Sequence, residues 1–315
     1  MKFVSRAIAA LVLSSSFSVV PVSAQGGGSQ PQQQQPPFIR QGQQLMREGK
    51  LSEALSLYQQ NLRESPNSLA ANVSAGSVLD LMGRGAEGRK YFQKAIDSAD
   101  TPERKAMAQR AMAMSYAFEG NCKQAAGYEK LVLDYYASTN NFYQQGEIAD
   151  EAARVCIDSG DLDAAYQWYK TGHDVGLKEP GIKPARVDLW NFRWEHALAR
   201  IAARRGQNAE AQKHVAAAKA ILDKSTNPEQ VPFFPYLQGY VEFYGHDYKA
   251  ALSDFLKANQ RDPFIQCMIG QTYEKLGDRD KAIESYQKAA AAISHNPPAA
   301  YAVPFSRKRL AVLGA

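Results

Sequence analysis

Residues 42–61 read GQQLMREGKLSEALSLYQQN, and this stretch decides the fold. It contains two short amphipathic segments that are separated by Gly49. Glycine suits the left-handed backbone conformation that ends a helix. Pro66 ends the second segment, because a proline ring cannot continue the helical hydrogen-bond ladder. The stretch therefore predicts a helix, a turn and a second helix.

The chain repeats this pattern along its length. The last copy reproduces the spacing of the first, and the two match at Gly42 and Gly270, Leu45 and Tyr273, Gly49 and Gly277, Ala54 and Ala282, Tyr58 and Tyr286, and Asn61 and Ala289. One position of each second helix holds a small residue: Ala54, Gly88, Ala125, Ala165, Ala211, Ala251 and Ala282. Successive members of that set lie 31 to 46 residues apart, which is typical of helix–turn–helix repeats. We therefore expect an all-α solenoid of about seven units.

Small and large residues occupy complementary positions of the predicted helices. One position of each first helix never exceeds alanine in size: Gly42, Gly76, Ala113, Ala153, Ala199, Gly239 and Gly270. Most second helices carry a large aromatic residue: Tyr58, Phe92, Tyr169, Phe255 and Tyr286. Two helices approach closely only where one side chain is nearly absent, and a large side chain then fills the remaining gap. The pattern thus predicts tight pairing within each unit.

These motifs resemble the tetratricopeptide repeat family over residues 38–294. The resemblance implies a right-handed α-solenoid whose first helices line a concave, protein-binding face. The middle units depart from the family pattern, because Gly88 replaces an alanine, and Glu129 and Val215 stand where an aromatic residue is expected. The longer intervals between units are rich in turn-forming residues and predict long loops within Ala137–Gln145, His173–Val187 and Leu222–Pro235.

The end of the chain, residues 295–315, is expected to cap the solenoid. Asn296-Pro297-Pro298 breaks the last repeat, and residues 304–313 predict one more short amphipathic segment. Arg307, Lys308 and Arg309 supply the polar outer face that a terminal covering helix needs. A membrane-surface role for this basic cluster is the alternative, and it is disfavoured because one short cluster gives little affinity.

The N-terminal sequence predicts export. A basic N-terminus precedes the apolar stretch 7–20 and a small-residue cleavage motif, Val22-Ser23-Ala24. We expect a signal peptide at residues 1–24, cleavage after Ala24, and a periplasmic or secreted chain without stable membrane insertion. An uncleaved anchor is the alternative. Residues 25–37 consist of glycine, serine, glutamine and proline, which predicts a disordered spacer.

Composition and motifs favour a binding protein over an enzyme. The net charge is +5, from 37 basic and 32 acidic residues, and removal of the leader brings it closer to neutrality. A nucleic-acid-binding protein would concentrate basic residues in a patch, so we expect no nucleic acid partner. The sequence contains no His-Glu-x-x-His motif, no Gly-x-Ser-x-Gly elbow and no phosphate-binding glycine loop. We therefore expect no catalytic residue, no metal and no cofactor.

Three cysteines follow the expected leader. Cys122 begins the second helix of unit three and Cys156 lies late in the first helix of unit four, so antiparallel packing brings the two together. A disulfide between them is one prediction, because an oxidising compartment favours it. Two small buried thiols are the alternative. Cys267 is expected to be a core residue.

The register also predicts which side chains of the concave face are directed towards a partner. The candidate partner-binding residues of units four to six are Glu147, Asp150, Arg154, Arg193, His196, Arg200, Arg204, Phe233, Tyr236, Tyr240 and Phe243. Arginine binds carboxylates through paired hydrogen bonds, and aromatic side chains supply large contact areas. We therefore expect a peptide or polypeptide partner at these units. The alternative is that the aromatic residues pack on the loop before unit six and that the charges form a solvated face.

We interpret the chain as an exported, non-enzymatic scaffold for protein–protein interaction. Carboxylate-clamp members of the family present lysine and asparagine at adjacent sites of their first helices, and units one to three lack them. A chaperone tail is therefore not the expected ligand. Two other classes stay open: a subunit of an envelope export or surface-assembly machine, which would co-purify with its complex, and an enzyme of unrecognised type, which would hold a metal or cofactor.

Overall fold

The computed structural model describes residues 36–315, and this range is built from helices joined by short connections. The helices are α1 (Pro37–Arg47), α2 (Leu51–Glu64), α3 (Leu69–Leu81), α4 (Gly85–Asp97), α5 (Pro102–Phe118), α6 (Cys122–Ser138), α7 (Phe142–Ser159), α8 (Leu162–Gly176), α9 (Pro184–Arg204), α10 (Asn208–Leu222), α11 (Phe234–Tyr244), α12 (Tyr248–Phe255), α13 (Pro263–Leu276), α14 (Arg279–Ala290) and α15 (Pro297–Leu313). A 3₁₀ helix, Pro228–Phe233, precedes α11. Since residues 36–315 contain no strand, the all-α fold class is confirmed. The expected leader, 1–24, and the spacer up to residue 35 lie outside the described residues.

Consecutive helices pair into seven units, from α1 with α2 to α13 with α14. The expected fit between small and aromatic residues is confirmed where the paired helices cross. A β-carbon added to Gly76 would lie 2.6 Å from the ring of Phe92, and one added to Gly239 would lie 2.9 Å from the ring of Phe255. Both separations are below van der Waals contact, so each ring fills the space of the absent side chain.

The turns between paired helices use the left-handed conformation that the sequence predicts. Gly49 and Gly277 have φ values of +75° and +83°. His246 occupies the equivalent turn between α11 and α12 with a φ of +67°. A residue with a β-carbon is strained in this conformation, so the turn at His246 is less favourable than its glycine counterparts.

The structure contradicts one of the three long loops that the sequence predicts. In the interval Ala137–Gln145, α6 continues to Ser138 and α7 begins at Phe142. The extra residues lengthen these two helices to 17 and 18 residues instead of forming a loop. The side chain of Asn141 accepts a hydrogen bond from the backbone N–H of Gln144, which caps α7 and lets it begin early. The connections before α9 and α11 lie within the other two expected intervals.

Cys122 and Cys156 form a disulfide between α6 and α7. The two residues are 34 positions apart in the sequence and join unit three to unit four. Cys267 is a buried free cysteine in α13. The covalent bond therefore joins unit three to unit four, the first unit of the candidate binding region.

The C-terminal helix α15 covers α13 and α14 but reaches further than a cap of the last unit. It begins at Pro297, and it also packs against α5 and α7. Arg307 and Lys308 are exposed, as expected of the outer face, although Arg307 also donates a hydrogen bond to the carbonyl of Leu81; the partly exposed Arg309 donates one to Glu274. Because α5, α7 and α13 are first helices of their units, α15 lies on the side of the solenoid that those helices line.

Candidate partner-binding face

The charged side chains of α7 lie along one side of that helix. Glu147, Asp150, Glu151 and Arg154 recur at intervals of three and four residues, which places them on a single helical face. None of the four is fully buried and none is fully exposed. This first helix therefore presents a line of charges that a partner can reach.

Ion pairs join this line of charges to the neighbouring first helices. Arg110 of α5 pairs with Glu151, with Nε and Oε2 2.7 Å apart. Arg193 of α9 pairs with Glu147 and lies 3.9 Å from Asp150. We refer to these five residues as the charged row. Partly exposed ion pairs contribute at most about 1 kcal/mol, so a charged group of a partner can replace one member at small cost.

Asp150 is the member of the charged row that titrates near neutral pH. Burial raises the pKa of its carboxyl to about 7, against the opposing attraction of Arg193 and with a further rise from the nearby carboxylate of Glu147. The net charge of this face therefore becomes more positive as the pH falls through about 7.

An arginine–tyrosine cluster lies beside the charged row. Arg200 is buried and donates hydrogen bonds to the hydroxyl oxygens of Tyr169, at 2.7 Å, and Tyr236, at 3.2 Å. The guanidinium of Arg154 lies 4.1 Å from the ring centroid of Phe264, which is a cation–π contact. These five residues define the cluster, and they come from α7, α8, α9, α11 and α13.

Two of the three arginines in and beside the cluster have no hydrogen bond to a carboxylate. Arg154 bonds to Asp158 at 2.9 Å, whereas the hydrogen bonds of Arg200 and Arg204 go to tyrosine hydroxyls and backbone carbonyls. Among the described residues, Nη2 of Arg154 is buried without a hydrogen-bond partner. Burial, together with Arg200, lowers the pKa of His196 well below its usual value, so this histidine is neutral. Guanidinium groups that have no bonded carboxylate offer hydrogen-bond donors to an anionic ligand.

The structure brings the eleven predicted partner-binding residues into one region but differs from the prediction in their exposure. Those that remain partly exposed are Glu147, Asp150, Arg154, Arg193, Arg204 and Phe233. Those that are buried are His196, Arg200, Tyr236, Tyr240 and Phe243. Tyr240, for example, is only 1% exposed. The first group is therefore accessible at the surface, whereas the second group becomes accessible only if the face rearranges.

The sequence interpretation missed the burial of Glu129 and the pairing of Arg110 with Glu151. Glu129 stands where other second helices carry an aromatic residue, and it is 0% exposed. Neither of its carboxyl oxygens has a hydrogen-bond partner among the described residues. Burial and the neighbouring Glu151 raise the pKa of Glu129 well above its usual range, although Arg110 opposes the rise. The glutamate at a position where other second helices carry an aromatic residue was the sequence signal for this buried carboxyl group.

Between residues 36 and 315, no three histidine, cysteine, aspartate or glutamate side chains are grouped so that they could hold a metal ion. Over the same residues, no helix has both the length and the apolar composition that crossing a bilayer requires.

Comparisons with known proteins identify the repeat. Residues 265–295, which include most of α13 and all of α14, match the tetratricopeptide repeat model. No curated protein sequence matches the chain. The solved apo form of RapI is similar over 80% of this chain and 94% of its own, with 15% identity and a TM-score of 0.50. A tetratricopeptide repeat protein from Parabacteroides merdae is similar over 86% of this chain and 97% of its own, with 13% identity and a TM-score of 0.48. At these identities the likeness concerns the fold alone.

Proposed function

We propose that this tetratricopeptide-repeat solenoid is a non-enzymatic scaffold that binds an acidic polypeptide segment through Arg110 and Arg193 of the charged row and through the partly exposed Arg154 and Arg204 beside it. The repeat match and the stacked first helices support a protein-binding role, because solenoids of this type use extended concave surfaces for recognition. The observation that carries the proposal is the charged row itself. It spans α5, α7 and α9 with side chains that are partly exposed and paired only with one another.

The chemistry of the partner follows from the hydrogen bonds of the arginines beside that row. Arg200 and Arg204 lack carboxylate partners, and one nitrogen of Arg154 lacks any partner among the described residues. A glutamate, an aspartate or a C-terminal carboxylate of the partner would bond directly to the partly exposed Arg204, and it would reach Arg200 and Nη2 of Arg154 only after a rearrangement of the face. The partner is therefore a segment with closely spaced carboxylates.

A charge exchange tests this proposal without removing an ion pair. The double variant Glu147→Arg/Arg193→Glu keeps the pair but reverses its direction, while Lys90→Glu changes an exposed charge on α4, away from the row. The parent chain and both variants are used to capture proteins from extract of the source cells, followed by quantitative mass spectrometry. We expect a partner that the parent and Lys90→Glu retain and the exchange variant loses. Equal capture by all three would refute binding at the charged row.

We further propose that the chain is exported to an oxidising compartment. The basic N-terminus, the apolar stretch and the cleavage motif that ends at Ala24 support this proposal, and so does a pair of cysteines, Cys122 and Cys156, that are placed to bond. Mass spectrometry of the protein from fractionated cells tests it. We expect the mature protein to start at Gln25 outside the cytoplasm, and a full-length protein that retains Met1 in the cytoplasmic fraction would contradict it.

A further inference from the structure

Glu129 lies at a junction of three helices. Its helix, α6, packs against α5 and α7. An apolar cluster joins the three helices at Ala106, Val132 and Ile148. One helical turn further on, and at one level of the junction because α6 runs antiparallel to its neighbours, the helices place Arg110, Glu129 and Glu151. Two carboxyl groups and one guanidinium therefore come together beside an apolar cluster.

The surroundings of Glu129 keep its carboxyl group neutral. The side chain is fully buried, and neither oxygen has a hydrogen-bond partner among the described residues. A buried carboxylate without a donor is far more costly than a neutral carboxyl group. Burial and the carboxylate of Glu151 accordingly raise the pKa of Glu129 well above its usual range, against the opposing charge of Arg110. Ionisation of Glu129 therefore requires a hydrogen-bond donor that this carboxyl group lacks in the structure.

Arg110 is the group that can supply this donor. It binds Glu151 through Nε, which lies 2.7 Å from Oε2, and through Nη2. A guanidinium has five N–H groups, and within the described residues Nη1 of Arg110 donates no hydrogen bond. Arg110 from α5 and Glu151 from α7 are the charged groups that face Glu129 from the helices beside it. The third nitrogen of Arg110 is therefore the available cationic donor.

We propose that Glu129 is a positioning residue for Arg110. While Glu129 is neutral, Nη1 of Arg110 is left for a carboxylate of the partner. When Glu129 loses its proton to solvent, its carboxylate accepts a hydrogen bond from Nη1, and Arg110 then bridges Glu129 and Glu151. The effect on partner binding rests on the proposed function, whereas the change of hydrogen bonds at Arg110 does not.

Nuclear magnetic resonance of the full chain tests the change at Arg110 directly. The protein carries ¹³C,¹⁵N-labelled arginine and ¹³C-labelled glutamate, and the signals of the Arg110 guanidinium and the Glu129 carboxyl are followed from pH 5 to pH 9. Arg110→Lys and Glu129→Gln assign the two groups by the loss of their signals. Glu53→Gln, which changes an exposed carboxyl group of α2, is the matched control.

We expect the Arg110 signals to shift at the pH at which the carboxyl group of Glu129 ionises. They should not shift there in Glu129→Gln, which keeps the shape of the side chain without its charge, and Glu53→Gln should respond as the parent does. Arg110 signals that stay constant while Glu129 ionises would overturn the proposal. A Glu129 carboxyl group that keeps one protonation state over the whole range would overturn it as well.

A second measurement separates this proposal from the proposed function. The probe is a fluorescein-labelled peptide of eight glutamates, and fluorescence anisotropy gives its dissociation constant on either side of the Glu129 transition. Above the transition the parent should bind about tenfold more weakly than Glu129→Gln, because one charge-assisted hydrogen bond is lost. Below it the two should bind alike. Equal affinities above the transition would overturn the role of Glu129 in binding. No peptide binding at either pH would contradict the proposed function, and the Arg110 signals would still decide the change of hydrogen bonds.

Discussion

The ring of Tyr286 occupies the space that a side chain at Gly270 would need. A β-carbon at this glycine would lie 2.7 Å from two ring carbons, and the tyrosine hydroxyl donates a hydrogen bond of 2.5 Å to Glu274. The same carboxylate binds Arg309 of α15. The close approach of α13 and α14 thus fixes the geometry of the last repeat. Through Glu274 it also positions α15, which packs against helices of the first units.

The first prediction compares two glycine-to-alanine substitutions. Gly270→Ala should lower the free energy of unfolding by about 1–3 kcal/mol, because the added methyl group displaces the Tyr286 ring. Gly127→Ala in α6, where no atom lies within 4 Å of the added carbon, should instead raise it by up to about 1 kcal/mol through helix propensity. Urea unfolding measures both. Equal effects at the two sites would contradict the packing at Gly270.

The second prediction concerns the buried carboxyl of Glu129. Its pKa is raised well above the usual range in the folded protein, so the folded state holds this proton more firmly than the unfolded state. Stability is therefore lost as the pH rises above the unfolded pKa, by at most about 1.4 kcal/mol per pH unit. Glu129→Gln removes this loss, and its stability advantage over the parent should grow between pH 5 and pH 8. The exposed Glu53→Gln should show no such growth, and a flat difference for Glu129→Gln would refute the assignment.

The third prediction tests the disulfide between Cys122 and Cys156. A cross-link that closes a loop of 34 residues stabilises a protein by about 4 kcal/mol. The double variant Cys122→Ser/Cys156→Ser should lose about this amount and become insensitive to reductant, whereas Cys267→Ala should keep the parent's sensitivity. Thermal unfolding with and without dithiothreitol measures the difference. A parent protein that does not respond to reductant would show that the bond is absent.

The fourth prediction links partner binding to the protonation of Asp150. Since the pKa of this carboxyl is about 7, lowering the pH from 8 to 6 removes a negative charge from the face that receives the acidic segment. The dissociation constant of the captured partner should therefore decrease over this range. Asp150→Asn should bind with nearly constant affinity across the same interval, close to that of the parent at pH 6. Stronger binding by the parent at pH 8 would indicate a basic partner.

The helical repeats were predictable because their signal is local. Gly42 and Tyr58 are 16 positions apart, and the same pair of positions recurs through the chain as Gly76 with Phe92 and Gly270 with Tyr286. Steric fit at one crossing fixes both the identity of the small residue and the position of the aromatic one. The register then placed Glu147 and Arg193 on the same face, where the structure pairs them.

The path of α15 was not predictable from the same reasoning. Ala299 and Ala300 resemble any small residues of a helix, and nothing near them in the sequence specifies contact with α3 and α5. Asp80 and His295 are 215 positions apart, so no periodicity connects them. The burial of Tyr240 and Arg200 was likewise hidden, because a register gives the direction of a side chain on its own helix but not the packing of the surrounding helices.

Affinity of the purified partner for the charge-exchange variant tests the central claim most directly. The dissociation constant is measured by titration calorimetry at pH 6 for the parent, for Glu147→Arg/Arg193→Glu and for Lys90→Glu, with thermal unfolding as a check of the fold. We predict that the exchange weakens binding about tenfold or more, equivalent to about 1.4 kcal/mol, while both variants unfold at the temperature of the parent. Unchanged affinity in a folded exchange variant would contradict a binding site at the charged row.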